Sequence, residues 1–255
     1  MLTRIRTAFL ILTILTITKS AQAQKSMIVG GNVIKFNITA AALSHYSLQY
    51  ERVTGLNQSF AIGFGISPDE SLPFKSAAMD AAGDNEDAKS AIESMKFTKF
   101  TITPEYRFYI SKKGAPKGFY VATFARYTNM TTKNTYEYTP SSGKLHFMEV
   151  EGSFKGYGAG AMIGLQWLLG SNITLDWWIV GPFIGVMDSQ FTGTDADTSD
   201  PLTDQDRADL EQDIESIELP LWELDAEITG NNAVVDVKGP FYGARFLGLC
   251  LGFRF

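Results

Sequence analysis

Alternation between apolar and polar positions dominates this chain. Over the last residues, Leu247, Leu249, Leu251, Phe253 and Phe255 share one face, and Phe246, Gly248, Cys250, Gly252 and Arg254 share the other. A period of two with one uniformly apolar face is the pattern of a β-strand, because successive side chains point to opposite sides of a sheet. Seven further segments read in the same way, so strands are expected at 29–41, 44–54, 57–67, 96–110, 118–131, 154–169, 172–190 and 239–255. Most are longer than the roughly 5–6 residues of an ordinary strand and reach the roughly 9–11 that cross a bilayer at a tilt. Short connections at 55–56, 111–117 and 170–171 alternate with long ones at 72–95, 132–153 and 191–238, the tight Ala42-Leu43 being the exception. The pattern predicts an all-β, eight-stranded antiparallel transmembrane barrel with long outer loops and one or two short loop helices. A ten-stranded barrel drawing on the long loops is the alternative.

The polar faces of these strands carry charge. His45, Ser47, Gln49 and Glu51 oppose Tyr46, Leu48 and Tyr50, and Thr101, Thr103, Glu105 and Arg107 oppose Ile102, Tyr106 and Phe108. Asp176 opposes Leu175 and Trp177, and Arg254 opposes the C-terminal apolar stripe. With Arg126 these residues predict a lumen ionic network of Glu51, Glu105, Arg107, Arg126, Asp176 and Arg254. Buried charges must be paired, and the signs nearly balance. Gly156, Gly158, Gly160 and Gly164 on one strand face, with Gly248 and Gly252 on another, leave room for long side chains in an interior this narrow. Trp167, Trp177, Trp178, Tyr106, Tyr109, Tyr120 and Tyr127 read as aromatics of the membrane–water boundary.

The first residues read as an export signal. Arg4 and Arg6 form a basic region, 8–17 an apolar core and Ala21-Gln22-Ala23 a small-x-small cleavage site, so a mature domain over 24–255 is expected. The apolar core is about half of the roughly 20 residues a spanning helix needs. Losing Arg4, Arg6 and Lys19 with the leader takes the formal charge from −6 to near −9. That excludes a nucleic-acid partner, which wants a basic surface. The lone Cys250 cannot form an internal disulfide. The final aromatics Phe253 and Phe255 resemble the C-terminal assembly signal of outer-membrane proteins, which implies the barrel-insertion machinery as a partner during assembly.

Catalytic chemistry has few places to sit, because the chain holds only His45 and His146. His45-Tyr-Ser47 resembles a motif of outer-membrane lipid A deacylases, but the pair falls on the polar, lumen-directed face, away from a lipid substrate. Asp195-Ala-Asp197-Thr-Ser-Asp200 is rich in oxygen ligands yet lacks the glycine and terminal glutamate of an EF-hand loop. No zinc spacing, phosphate-cradling loop or nucleotide fingerprint is present. The residues imply no cofactor, no dedicated metal and no enzyme.

The segment from Thr194 to Glu227 holds thirteen acidic residues and one basic residue, Arg207. Thr203 with Asp206 resembles a helix N-terminal box after Pro201, Leu210, Ile214, Ile217 and Leu221 recur at helical spacing, and Pro220 should end the helix. The stripe reads as a lid over the barrel mouth or an outer contact surface. A second acidic helical loop is expected over 76–95.

Three pieces of sequence carry a family resemblance: Asn32-Val-Ile-Lys-Phe-Asn-Ile-Thr39, Tyr46-Ser-Leu-Gln-Tyr-Glu-Arg52, and Gly239-Pro-Phe-Tyr-Gly-Ala-Arg245 through Leu-Gly-Phe-Arg-Phe255. The pattern resembles small outer-membrane β-barrel proteins of Bacteroidota, a family of unknown function. The resemblance implies location and fold and transfers no catalytic residue. The expected role is non-enzymatic, structural or accessory, in contact with outer-membrane lipid, lipopolysaccharide and an envelope protein partner. A small gated channel is the second expectation and a lipid A-modifying enzyme the third.

Overall fold

The computed structural model describes residues 31–71, 75–83, 89, 92–93, 95–112, 114–138, 146–195, 203–215 and 221–255. The predicted leader therefore lies outside the described residues. Among the described residues nine strands follow in order: β1 (Asn32–Asn37), β2 (Tyr46–Gly55), β3 (Gln58–Ser71), β4 (Lys96–Tyr109), β5 (Gly118–Tyr138), β6 (His146–Leu169), β7 (Ile173–Asp195), β8 (Glu223–Thr229) and β9 (Asn232–Arg254). Among the described residues three helices interrupt them, α1 (Ile38–Ala41), α2 (Lys75–Ala81) and α3 (Asp204–Glu215), and residues 89 and 92–93 are also helical. No helix among the described residues is long and apolar enough to cross a membrane.

Each strand pairs antiparallel with its neighbour from β1 to β7, then β7 pairs with β9, and β9 returns to β1. Eight strands thus close a ring, as the alternation predicts. β8 is an addition, paired to the outer end of β9 through a tight turn at Gly230, whose φ of +62° suits a residue without a Cβ. The ring ends where the turns are short, beside the pairing of Asn32 with Phe255. At the opposite end β5, β6, β7 and β9 run far beyond β1 and β2, so one wall is tall and the other low.

Several expected boundaries shift. The first strand stops at Asn37 instead of 41, because the Asn37 side chain accepts from Ala40 N–H (2.9 Å) and starts the helical turn α1. β6 starts at His146 and β9 at Asn232, so much of two predicted loops is strand. The acidic segment keeps a helix, α3, which follows Thr203, and its expected terminator Pro220 lies outside the described residues.

The last strand also changes face along its length. Leu247 has φ +51°, and the alternation reverses there. Cys250 and Gly252 point inward as expected, but Phe246 is 64% exposed, while Phe241 and Arg245 point inward. β7 reverses opposite it, where Ile179 is an extra residue between the pairs Ile163–Val180 and Gly164–Trp178. The reversal leaves a seam: β9 pairs with β8 up to Lys238 and with β1 from Cys250. Thr39 of α1 bridges part of the interval, its Oγ1 accepting from Leu249 N–H (3.0 Å) and lying 3.2 Å from the Leu247 carbonyl oxygen.

Candidate functional site

The interior is layered. Nearest the short turns lies a polar cluster built by register. Lys35 (β1), Gln49 and Glu51 (β2), Ser59 (β3), Glu105, Arg107 and Tyr109 (β4), Tyr120 (β5), Gln166 (β6) and Asp176 (β7) all point inward and are buried. Lys35 Nζ meets Glu51 Oε2 (2.5 Å), Asp176 Oδ2 (2.7 Å) and Gln166 Oε1 (2.9 Å). Arg107 reaches Asp176 Oδ2 (2.7 Å) and Gln49 Oε1 (2.9 Å), pairs closely with Glu105, and lies 4.5 Å from the centre of the Tyr120 ring. The Tyr109 hydroxyl donates to Glu51 (2.6 Å) and the Tyr120 hydroxyl to Asp176 (2.8 Å). Glu105 turns its second oxygen to Arg245 Nη1 (2.8 Å), and Arg245 stacks on Trp178 at 4.1 Å.

Lys35, Arg107 and Arg245 thus meet Glu51, Glu105 and Asp176 in one closely packed space. Glycines make the space. A Cβ at Gly164 would collide with the Tyr120 ring, and one at Gly252 would press on Lys35 Cγ at 2.8 Å. Next to this cluster sits an aromatic layer in which Phe97, Met130, Phe154, Met187 and Phe241 pack against Phe183 and Trp222. Chemically the cluster can hold the wall together and fill the lumen. Its carboxylates are engaged by cations and hydroxyl donors, which suits structure better than turnover.

Of the residues that the sequence assigns to the network, Glu51, Glu105, Arg107 and Asp176 meet here. Arg126 points inward but stands apart, its guanidinium 5.8 Å from the Phe183 ring centre. Arg254 does not join. It lies at the end of the ring beside Gly31, with its backbone tied to Asn172, because the final inward position of β9 falls beyond the cluster. Sequence reasoning misses Lys35, Arg245, Tyr109, Tyr120 and Trp178, and it places the last three at the membrane boundary. Parity holds the signal for most of them. Tyr109 shares a face with Arg107, Trp178 with Asp176, and Lys35 lies between the outward Ile34 and Phe36. Arg245 carries no such signal, since the reversal at Leu247 hides its face.

The other candidates separate. His45 and Ser47 face the lumen, and His45 Nδ1 is 2.7 Å from Ser67 Oγ. His146 opens β6 opposite Tyr138. Asp195 is buried at the end of β7, and 196–200 lie outside the described residues. In the outer stripe, Ile214 is half-buried and Leu221 is 71% exposed beyond the helix, with φ +77°. Ile217 and the side chain of Leu210 lie outside the described residues. Phe253 and Phe255 point outward and are exposed.

The outward face has its own order. On β7 the side chains are apolar from Ile173 to Val186, and Asp188, Gln190, Thr192 and Thr194 follow. Val186 is in register with Tyr157 on β6 and with Pro240 on β9, and one step further Asp188 pairs with Lys155 and Lys238. The apolar surface therefore ends at one level across three strands, edged by Tyr157, Tyr127 and Tyr242, with charge directly above it.

A family model described as "Protein of unknown function (DUF3575)" matches residues 8–207. No curated protein matches the chain. Among solved structures, a major outer membrane protein from Thermus thermophilus is similar at 13% identity with a TM-score of 0.43, covering 89% of this chain and 100% of that one.

Proposed function

The chain belongs to the DUF3575 family of proteins of unknown function, and on that premise we propose that it is a non-enzymatic barrel of the outer membrane with a closed lumen. Its role in this reading is structural or accessory, exercised through the tall outer rim. The level apolar band carries the proposal. Residues such as Leu48 (56%), Ile184 (70%) and Phe246 (64%) are exposed on the outward face, far more apolar surface than a soluble monomer leaves to water. The run from Ile173 to Val186 is long enough for a tilted strand to cross a hydrocarbon core, which needs about 9–11 residues. Closure of the ring pairs backbone polar groups that lipid could not satisfy, with Thr39 serving part of the seam beside Leu247. Tyrosines at the edge with charge beyond them match a bilayer boundary.

The balanced ion-pair cluster supports a wall-bracing plug instead of a path for ions. The extended ends of β5, β6, β7 and β9, with acidic α3 and the β8 hairpin, would stand above the membrane, available to lipopolysaccharide or an envelope protein of complementary charge.

Gel mobility of the protein in detergent with and without boiling, combined with proteolysis of whole cells by an enzyme that cuts after acidic residues, tests the reading. A boiling-dependent shift and surface cleavage between Asp195 and Glu223 are expected. A protein that shows neither is not an outer-membrane barrel with this orientation.

A further inference from the structure

Beside the aromatic layer the lumen is unfilled. A cavity of about 510 Å³ lies between the α1 corner and the inner faces of β2, β3, β4, β5 and β9. Lys99, Arg126, Arg245 and His45 line it, together with the hydroxyls of Ser47, Thr101 and Thr103. No aspartate or glutamate is among its lining residues.

The charge balance gives this cavity meaning. Lys35, Arg107 and Arg245 are matched one for one by Glu51, Glu105 and Asp176. Arg126 is outside that balance. Among the described residues no carboxylate forms an ion pair with it, and Arg245, of like sign, lines the same cavity. Two guanidiniums facing one partly enclosed cavity repel each other more strongly than they would in bulk water, and the arrangement calls for a compensating anion.

We propose that the cavity is a binding site for an anionic group of the phosphate or carboxylate class. Arg126 is its principal ligand. Arg245, which spends one nitrogen on Glu105, has further donors to offer, since a guanidinium carries five. The forked geometry of both suits a phosphate or carboxylate, and the hydroxyls of Thr101 and Thr103 supply neutral donors at the same wall. The volume falls within the usual range for small-molecule sites. Two sources share this chemistry. One is a free anion entering by the outer mouth. The other is the headgroup of an amphiphile crossing the low wall, where Leu43 and Leu247, 81% and 60% exposed, border the same cavity. The site rests on the barrel's interior alone and stands whether or not the rim has a partner.

The test is calorimetric titration of the full, heat-modifiable protein in non-ionic detergent, with inorganic phosphate in one arm and dodecyl phosphate in the other. Arg126→Gln removes the unmatched cation. Gly63→Leu fills the cavity, since a Cβ there meets nothing closer than 3.7 Å. Lys133→Gln, on the exposed outer part of β5, is the control. Saturable binding is expected, weakened about tenfold or more by Arg126→Gln, abolished by Gly63→Leu and unchanged by Lys133→Gln. Binding of inorganic phosphate assigns a free anion, and binding of dodecyl phosphate alone assigns an amphiphile headgroup. Saturation by neither probe, or by a probe indifferent to both cavity variants, overturns the proposal.

Discussion

Lys35→Met is the most direct probe of the buried cluster. Lys35 is fully buried and meets two carboxylates, Glu51 and Asp176, at 2.5 and 2.7 Å. Removing it leaves three carboxylates against Arg107 and Arg245, so one negative charge inside the barrel has no counterpart. Breaking a buried pair in this way costs about 3–5 kcal/mol, most of it from the charge left behind. Glu51→Gln creates the opposite imbalance, and its cost should be of similar size. The double variant restores neutrality, and it should cost less than the sum of the singles by about 2 kcal/mol, the scale of coupling between residues in one network. Urea unfolding of vesicle-embedded protein, followed by tryptophan fluorescence, measures all three against wild type. Strict additivity, or a Lys35→Met cost within about 0.5 kcal/mol of zero, would refute the idea that charge balance holds this lumen together.

Three other expectations follow from the same geometry. Gly164→Ala should destabilise the barrel by about 1–3 kcal/mol, read in the same urea titration, because its Cβ would collide with Tyr120 and lie 2.9 Å from the Trp177 carbonyl oxygen. Thr39→Val should cost about 1–2 kcal/mol by leaving Leu249 N–H without its acceptor at the seam, with the loss visible as faster amide exchange at Leu249. Wild-type protein in planar bilayers should show no conductance steps, whereas steady single-channel currents would mean that the ion-pair cluster does not close the lumen.

How far the sequence reveals this protein depends on where parity survives. Along β2, β4 and the first half of β7 the period of two runs unbroken, and it delivers Glu51, Glu105, Arg107 and Asp176 to the correct face. The same rule, carried two residues further, delivers Tyr109 and Trp178. Tyrosine and tryptophan are common at the membrane boundary, and that composition misleads where position is the better guide. Arg245 and Phe246 cannot be placed by counting. A residue with φ +51° at Leu247 and an extra residue at Ile179 reverse two adjacent strands together, and no local composition marks either. The outer ends of β5 to β7 are also hidden. Most of their outward positions are polar, Phe147 being an exception, so the apolar half of the alternation thins once the strand leaves the apolar band. The tightness of the 42–43 corner is visible in the sequence, but not that Asn37 stops β1 early and supplies the helical turn that bridges the seam.

Spin labels placed singly at 249, 251 and 253, on the apolar outward face, and at 188 and 190, on the outward face of β7 beyond the apolar band, all in a Cys250→Ser background, test the arrangement of the barrel in a bilayer most directly. Collision rates with oxygen, which concentrates in lipid, and with a water-soluble nickel chelate would be measured in nanodiscs. A closed barrel spanning the membrane requires labels at 249, 251 and 253 to be open to oxygen and shielded from nickel. Labels at 188 and 190 must be open to nickel. Nickel access at 249, 251 and 253, or no contrast between the two sets, would contradict a membrane-spanning barrel.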